Sequence, residues 1–142
     1  MFTQDGEQRG AFEFRTGLIP MLSSAAGKIY TACLPPGATF DLINQEWDAV
    51  FGGKPNAERL REEARRELKR KGYAAIMRAD VSAYVSIAAP VFGWHGEVRF
   101  TLSLAGTRAI IQIEPTSDLV KALPESAARA TSALGGKASE NI

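Results

Sequence analysis

Between Asn56 and Lys71 the chain reads NAERLREEARRELKRK, and its apolar residues Leu60, Ala64 and Leu68 return every fourth position. That spacing predicts one face of an α-helix, and Gly72 follows where a left-handed C-cap residue belongs. In ATFDLINQEWDAVFGG the residues Phe40, Ile43, Trp47, Val50 and Phe51 fall at helical spacing, with Thr39 as cap and Gly52-Gly53 as stop. The aromatics of this helix are expected in the core. Upstream, IPMLSSAAGKIYTACLPP offers Ser23 and Ser24 as N-caps of a short helix rich in small residues. It must end near Leu34, because Pro35-Pro36-Gly37 cannot continue it. The last helix, in SDLVKALPESAARATSALGG, carries the stripe Leu119, Leu123, Ala127, Ala130 and Leu134, capped by Thr116 or Ser117 and stopped at Gly135. Pro124 should kink or divide it, since proline removes one backbone hydrogen bond and clashes with the preceding turn.

The period changes to two in AYVSIAAPVFGWHGEVRFTLSLAG, which predicts a β-hairpin turning at Gly93-Trp94-His95-Gly96. Either a two-residue loop at Trp94-His95 or a four-residue loop from Gly93 to Gly96 gives one register, with Ser86 directly opposite Ser103. Val85, Ile87, Ala89 and Val91 then share a face with Val98, Phe100, Leu102 and Leu104, a continuous aliphatic surface for helix packing. The reverse face carries Ser86, Ala88, Thr101, Ser103 and Ala105, with Tyr84 at one end. Side chains so small cannot fill space, so a cavity or a covering loop must meet them. The opening residues, with Phe12 and Phe14 alternating against Ala11, Glu13 and Arg15 after an Asp5-Gly6 turn, predict two short strands. RAIIQIEP after Gly106 is either a further strand or an extended connection ended by Pro115. The tail beyond Lys137 reads as frayed.

The 142 residues suit a single domain, and 45% hydrophobic with 23% charged residues is the balance of an ordinary globular protein. A formal net charge of +1 argues against coating a phosphate backbone, so no direct DNA contact is expected. The seven Lys/Arg of the Asn56–Lys71 helix alternate with four Glu three and four residues apart, the pattern of a solvated, ion-paired face. One cysteine, Cys33, permits no internal disulfide, so a reducing, cytoplasmic setting is expected. No apolar stretch approaches the roughly 18 residues of a membrane span, and no signal peptide opens the chain.

Catalytic chemistry finds little to build on. His95, the only histidine, sits in the hairpin turn and reads as a solvent-exposed loop residue. Cys33 lies in TACLPP without a histidine or basic neighbour in sequence and reads as a small hydrophobe. Cysteines and histidines are too few for a zinc cluster, and the carboxylates concentrate in exposed-helix patterns, leaving Asp80 and Glu97 as isolated strand-edge candidates. AAGKIY lacks the spacing of a nucleotide-binding loop. What it does offer is Ala25, Ala26 and Gly27 at a helix start, small enough to admit a carboxylate to unsatisfied backbone N–H groups, or simply to allow close helix packing.

Four blocks of the chain resemble a known family. IPMLSSAAGKIYTACLP is similar to the LP-x-x-x-SA-x-GK-x-x-LA-x-LP stretch of the effector-binding domain of IclR-type bacterial transcriptional regulators. LREEARRELKRKGYA looks like its helix ending in Arg/Lys-x-GY, VSIAAPVFGWHGEVRFTLSLAG resembles its hairpin, and AARATSALGG resembles its last helix. The order and spacing of the blocks extend from about Gly17 to Gly136.

The resemblance implies an α+β, GAF-like fold: an antiparallel sheet with helices on one face and, on the other, a pocket for a small organic or aromatic acid. Carried over by position, the pocket falls on Ala25, Ala26 and Gly27, on Ser86, and on Ser103 and Ala105, with Ile19 and Ile76 as apolar walls. Met77 and Tyr84 complete the expected ligand-binding set. Where family members frequently carry an acidic residue after GY, this chain has Ile76, Met77 and Ala79, and Ala105 replaces the second serine of the SVSG strand. Both changes make an apolar effector plausible. The expected function is effector sensing and self-association to a dimer or tetramer, with DNA contacted only through a winged helix-turn-helix domain outside these residues and the effector domain itself incomplete at its N-terminus. No cofactor, metal or enzymatic activity is expected. The rival readings are an oligomerisation module with a filled pocket and a small enzyme on the same scaffold.

Overall fold

The computed structural model describes residues 20–78 and 84–138. The predicted strands around Phe12 and Phe14, and Ile19, Ala79 and Asp80, lie outside them. Within them run α1 (Ala25–Cys33), α2 (Pro36–Phe51), α3 (Ala57–Lys71), β1 (Ala74–Arg78), β2 (Tyr84–Phe92), β3 (Val98–Thr107) and α4 (Asp118–Ala133). The strands pair antiparallel in the order β1-β2-β3. Strand β1 was not anticipated: Ala74-Ala75-Ile76 is too short and small-sided to announce period two, and it is β2 that organises it.

The fold is the expected α+β class, with its helices shared between the two sheet faces. Helix α4 packs Val120, Leu123 and Ala127 on Val85, Ile87, Ala89 and Val91, together with Tyr73, Ala75 and Ile111. Helix α1 covers the opposite face, where Ala25, Ile29 and Ala32 meet Ala74, Ala88 and Val98, backed by Ala64 and Leu68 of α3. The α3 stripe is the predicted one, and Gly72 at φ 80° closes the helix as expected. The small residues of β1 and β2 therefore serve first as the bed of α1, whose alanines let the helix lie close.

Helix α2 departs from expectation twice. It begins at Pro36 after Pro35, upstream of Thr39, because proline suits the first helical turn and Thr39 is instead buried. Only Thr39 and Ile43 are buried, while Leu42, Val50 and Phe51 are more than half exposed, so its aromatics are not core. Trp47 and Phe51 stack on each other at 4.6 Å. Helix α4 runs unbroken through Pro124: the burial of Val120, Leu123 and Ala127 offsets the lost backbone bond. Its buried stripe is Val120, Leu123, Ala127 and Thr131, so Leu119 and Leu134 fall outside it. RAIIQIEP is a turn and connection, with Ile111 buried against the sheet.

The hairpin register differs by two from the predicted one. Ser86 pairs with Ala105, and Ala88 with Ser103, so the two serines are diagonal neighbours. One place comes from the turn, where the N–H of Gly93 donates to the Glu97 carbonyl at 2.8 Å around a three-residue loop. The second comes from an irregularity between Val91 and Phe92, where the N–H of Phe92 donates to Thr131 Oγ1 of α4 at 3.0 Å. Past it, Val98 moves to the α1 face and leaves the aliphatic row. A shift of two keeps the faces of the other residues. Phe100, Leu102 and Leu104 lie on the α4 face as predicted but are 55%, 37% and 38% exposed, so the β3 half of that face is not core.

Candidate functional site

The first turn of α1 points at the small-residue face of the sheet. The N–H of Ala25 donates to Ser86 Oγ on β2 at 3.2 Å, and Ser86 is only 4% exposed. Ser24 caps the helix, its Oγ accepting from the N–H of Gly27 at 2.9 Å and donating to the carbonyl of Pro20 at 2.6 Å. Among the described residues none accepts from the N–H of Ala26, which leaves one donor of that electropositive turn open. Gly27 is required here: a Cβ would come within 2.2 Å of the Met21 carbonyl oxygen.

Around this tip the sheet forms a step. Ser86 and Ala88 of β2 are roofed by α1, whereas their β3 partners Ala105 and Ser103 are exposed. Among the described residues Ser103 Oγ reaches Thr101 Oγ1 alone, at 3.5 Å. Ile76, paired with Ser86, is half-buried, and Tyr84 lies two residues from Ser86 on the same side of β2. The strands bring Ile76, Tyr84, Ser86, Ser103 and Ala105 to one face, and the α1 turn Ala25-Ala26-Gly27 meets it through the Ala25–Ser86 hydrogen bond. Met77 does not join them. It pairs with Val85 and opens, half exposed, toward the α4 side, since consecutive strand residues face opposite ways. The Ser86 hydroxyl is moreover engaged with Ala25, not free as the sequence reading had it.

Sequence reasoning missed the polar framework behind this tip. Lys28 Nζ pairs with Glu67 of α3 at 2.8 Å and donates to the carbonyl of Ala75 at 2.9 Å, while Glu67 Oε2 accepts from the N–H of Ala75 at 2.9 Å. One ion pair thus pins α1 and α3 to β1. Glu46 of α2 accepts from the N–H groups of Met21 and Leu22 at 2.6 and 3.2 Å. These ties span 8 to 47 residues, beyond any local pattern.

The remaining titratable candidates stand apart. His95 is exposed in its turn, where its N–H donates to Glu97 Oε2 at 2.9 Å. Backbone hydrogen bonds hold the Glu97 carboxyl below its ordinary range. Cys33 is half-buried, and burial pushes its thiol up to about 12. Arg65 and Arg61 lie close enough in space to oppose that shift, which the sequence neighbourhood had not suggested, but desolvation wins. Among the described residues no group of three His, Cys, Asp or Glu could hold a metal ion, and no helix is long and apolar enough to cross a membrane.

Comparison with known proteins fits this fold. The chain is similar in structure to HmgR of Pseudomonas aeruginosa, with 20% identity and a TM-score of 0.73, covering 87% of this chain and 48% of that one. It also resembles the IclR protein of Thermotoga maritima, at 21% identity and a TM-score of 0.61 over 92% of this chain and 53% of the other. An IclR-type regulator from Alicyclobacillus acidocaldarius is 25% identical, with a TM-score of 0.61 over 82% and 47%. The chain spans about half the length of these relatives. No curated protein sequence matches it. The family model and the Alicyclobacillus acidocaldarius neighbour are described as transcriptional regulators. A family model described as the C-terminal part of the bacterial transcriptional regulator IclR matches residues 16–133, and the chain belongs to that family.

Proposed function

We propose that this chain is the effector-sensing and self-associating domain of a cytoplasmic IclR-type regulator, taking a small organic or aromatic acid on the open step between the α1 tip and β3. The observation that carries the reading is the Ala25–Ser86 hydrogen bond, which aims a helix N-terminus at small, partly exposed sheet residues. The acid would accept from the N–H of Ala26 and from the hydroxyls of Ser103 and Ser86, the Ser86 oxygen still accepting from the N–H of Ala25. Its apolar part would lie against Ile76, Tyr84 and Ala105. Binding would act on DNA only by shifting populations of arrangements in which a winged helix-turn-helix domain outside these residues is held. Self-association to a dimer or tetramer is supported by Phe100, Leu102, Leu104 and Ile110, a set of exposed apolar side chains on and just after β3, the last strand of the sheet among the described residues.

One observation favours a second reading, an oligomerisation module with no working pocket: Ser86 already satisfies Ala25 and is buried in doing so. Calorimetric titration with a panel of aliphatic and aromatic carboxylates separates the two. The sensor reading expects saturable binding of one acid that Ser103→Trp abolishes. Silence across the panel, or binding indifferent to Ser103→Trp, leaves the module reading standing.

A further inference from the structure

The segment before α1 contains a second place built for a carboxylate, and it is already filled by one. Residues 20–24 fold back over the first turn of α1, where the Ser24 hydroxyl donates to the Pro20 carbonyl and Gly27 leaves no room for a side chain under Met21. That fold turns the N–H groups of Met21 and Leu22 side by side, and each donates to one oxygen of Glu46, at 2.6 and 3.2 Å. Two parallel N–H donors on one carboxylate are a strong, charge-assisted arrangement. The acceptor comes from α2, some 25 residues away, so the pair is a tertiary contact and not a local cap.

The same two residues line a crevice of about 210 Å³ between α1, α2 and α3, whose apolar walls include Leu22, Ile43, Leu60 and Ala64. A cavity of roughly 150 Å³ accommodates a molecule the size of benzene, so this one has room for a short acyl chain. Lys28 contributes a cation to the lining. The two lining carboxylates are neutralised by partners, Glu67 by Lys28 and Lys71 and Glu63 by Arg59. The lining therefore does not repel an anion as a bare acidic cluster would.

We propose that the crevice is a binding site for a short-chain monocarboxylate, distinct from the sheet-face step, and that Glu46 is its built-in competitor. The incoming carboxylate takes the N–H groups of Met21 and Leu22, the acyl chain enters between Ile43, Leu60 and Ala64, and Glu46 swings to solvent. Displacing Glu46 also unclips α2. That helix has only Thr39 and Ile43 buried, and it displays Leu42, Val50 and Phe51 outward. The ligand would thus change how α2 presents that apolar surface. An intramolecular competitor acts at high effective concentration, so the native protein binds the free acid weakly and removal of the competitor strengthens binding.

The test is calorimetric titration with sodium valerate as probe and valeramide as its uncharged control, on the wild type, Glu46→Ala and Glu46→Gln. Both variants are expected to bind valerate at least about tenfold more tightly than the wild type and to ignore valeramide. Adding Leu60→Trp to Glu46→Ala fills the crevice and should abolish the gain, whereas Ser103→Trp, which blocks the sheet-face step, should leave it intact. Amide exchange of β2 and β3 equal to wild type verifies that each variant is folded, and Glu46→Gln, the near-isosteric change, decides if Glu46→Ala is not. Valerate binding no tighter without the Glu46 carboxylate overturns the proposal, as does binding that survives Leu60→Trp. Loss of binding with Ser103→Trp places the acid on the sheet face and overturns this site alone.

Discussion

Replacing Gly27 by alanine probes the packing that creates both carboxylate-binding surfaces. In an ordinary helix this change is favourable, by up to about 1 kcal/mol, through the conformational entropy of the unfolded chain. Here the new Cβ would meet the carbonyl oxygen, Cα and carbonyl carbon of Met21 at 2.2, 2.6 and 2.7 Å, where ordinary contact begins at 3.4 Å. All three are backbone atoms, so the segment before α1 must retreat by about 1 Å, disturbing the Glu46 and Ser24 hydrogen bonds that hold it. Overpacking of this kind costs about 1–3 kcal/mol, and three backbone contacts below 3 Å put it at about 2–3, which leaves a net loss of about 1–2 kcal/mol after the entropic gain. Gly37, also in a first helical turn, is the control: a Cβ there meets nothing within 4 Å, and Gly37→Ala should stabilise by about 0.5–1 kcal/mol. Urea unfolding followed by far-ultraviolet circular dichroism reads both, and with a slope of about 2 kcal/mol per molar the Gly27→Ala midpoint should fall by roughly 0.5–1 M. A Gly27→Ala midpoint at or above that of the wild type refutes the close approach of Met21 to α1.

Three further outcomes follow from the same structure. Ser86→Ala leaves the buried N–H of Ala25 without its acceptor and should cost about 1–3 kcal/mol in the same urea experiment; an unchanged midpoint would mean that the helix tip is not tied to β2. Cys33, with its thiol raised from 9.0 to about 12, should react with a disulfide reagent at pH 8 roughly a hundredfold or more slower than in urea-unfolded chain. Because the folded-state value is raised, folding favours the protonated thiol, and stability falls as pH climbs above 9; equal labelling rates would contradict the burial. Leu102→Lys on the exposed face of β3 should shift sedimentation toward the monomer, and an unaltered association state would remove that strand from the interface.

What the chain reveals of itself depends on whether the cause is local. Helix α3 was legible because Leu60, Ala64 and Leu68 repeat at one period and Gly72 ends them, each signal within the helix. The hairpin was legible as a hairpin, but its register was not: a three-residue loop moves Phe92 one place to Val98, and the irregularity beside it, where Thr131, 39 residues beyond, takes the Phe92 N–H, moves the remaining pairs by a second place. The aromatics of α2 looked like core because spacing cannot reveal that only Thr39 and Ile43 of this helix are buried. At the candidate site Ser86, Ser103 and Ala105 share a sheet face as strand parity predicts, and Ala25, Ala26 and Gly27 open a helix capped by Ser24 as predicted, both local rules, whereas the meeting of helix and sheet face was implied only by the family resemblance. That Ser86 spends its hydroxyl on Ala25, and that Met77 turns away from Ile76, follow from docking and from an unanticipated strand. Glu46 gave no signal at all, being one carboxylate in an amphipathic helix until the fold sets it beside two backbone donors.

The central claim, acid recognition where the α1 tip meets the sheet, is met most directly by amide chemical-shift mapping of the uniformly labelled domain during titration with the carboxylate panel. One acid should move the resonances of Ala25, Ala26, Gly27, Ser86, Ser103 and Ala105 together along a single saturating curve. If every acid leaves those six amides unmoved, the step between α1 and β3 is not an effector site.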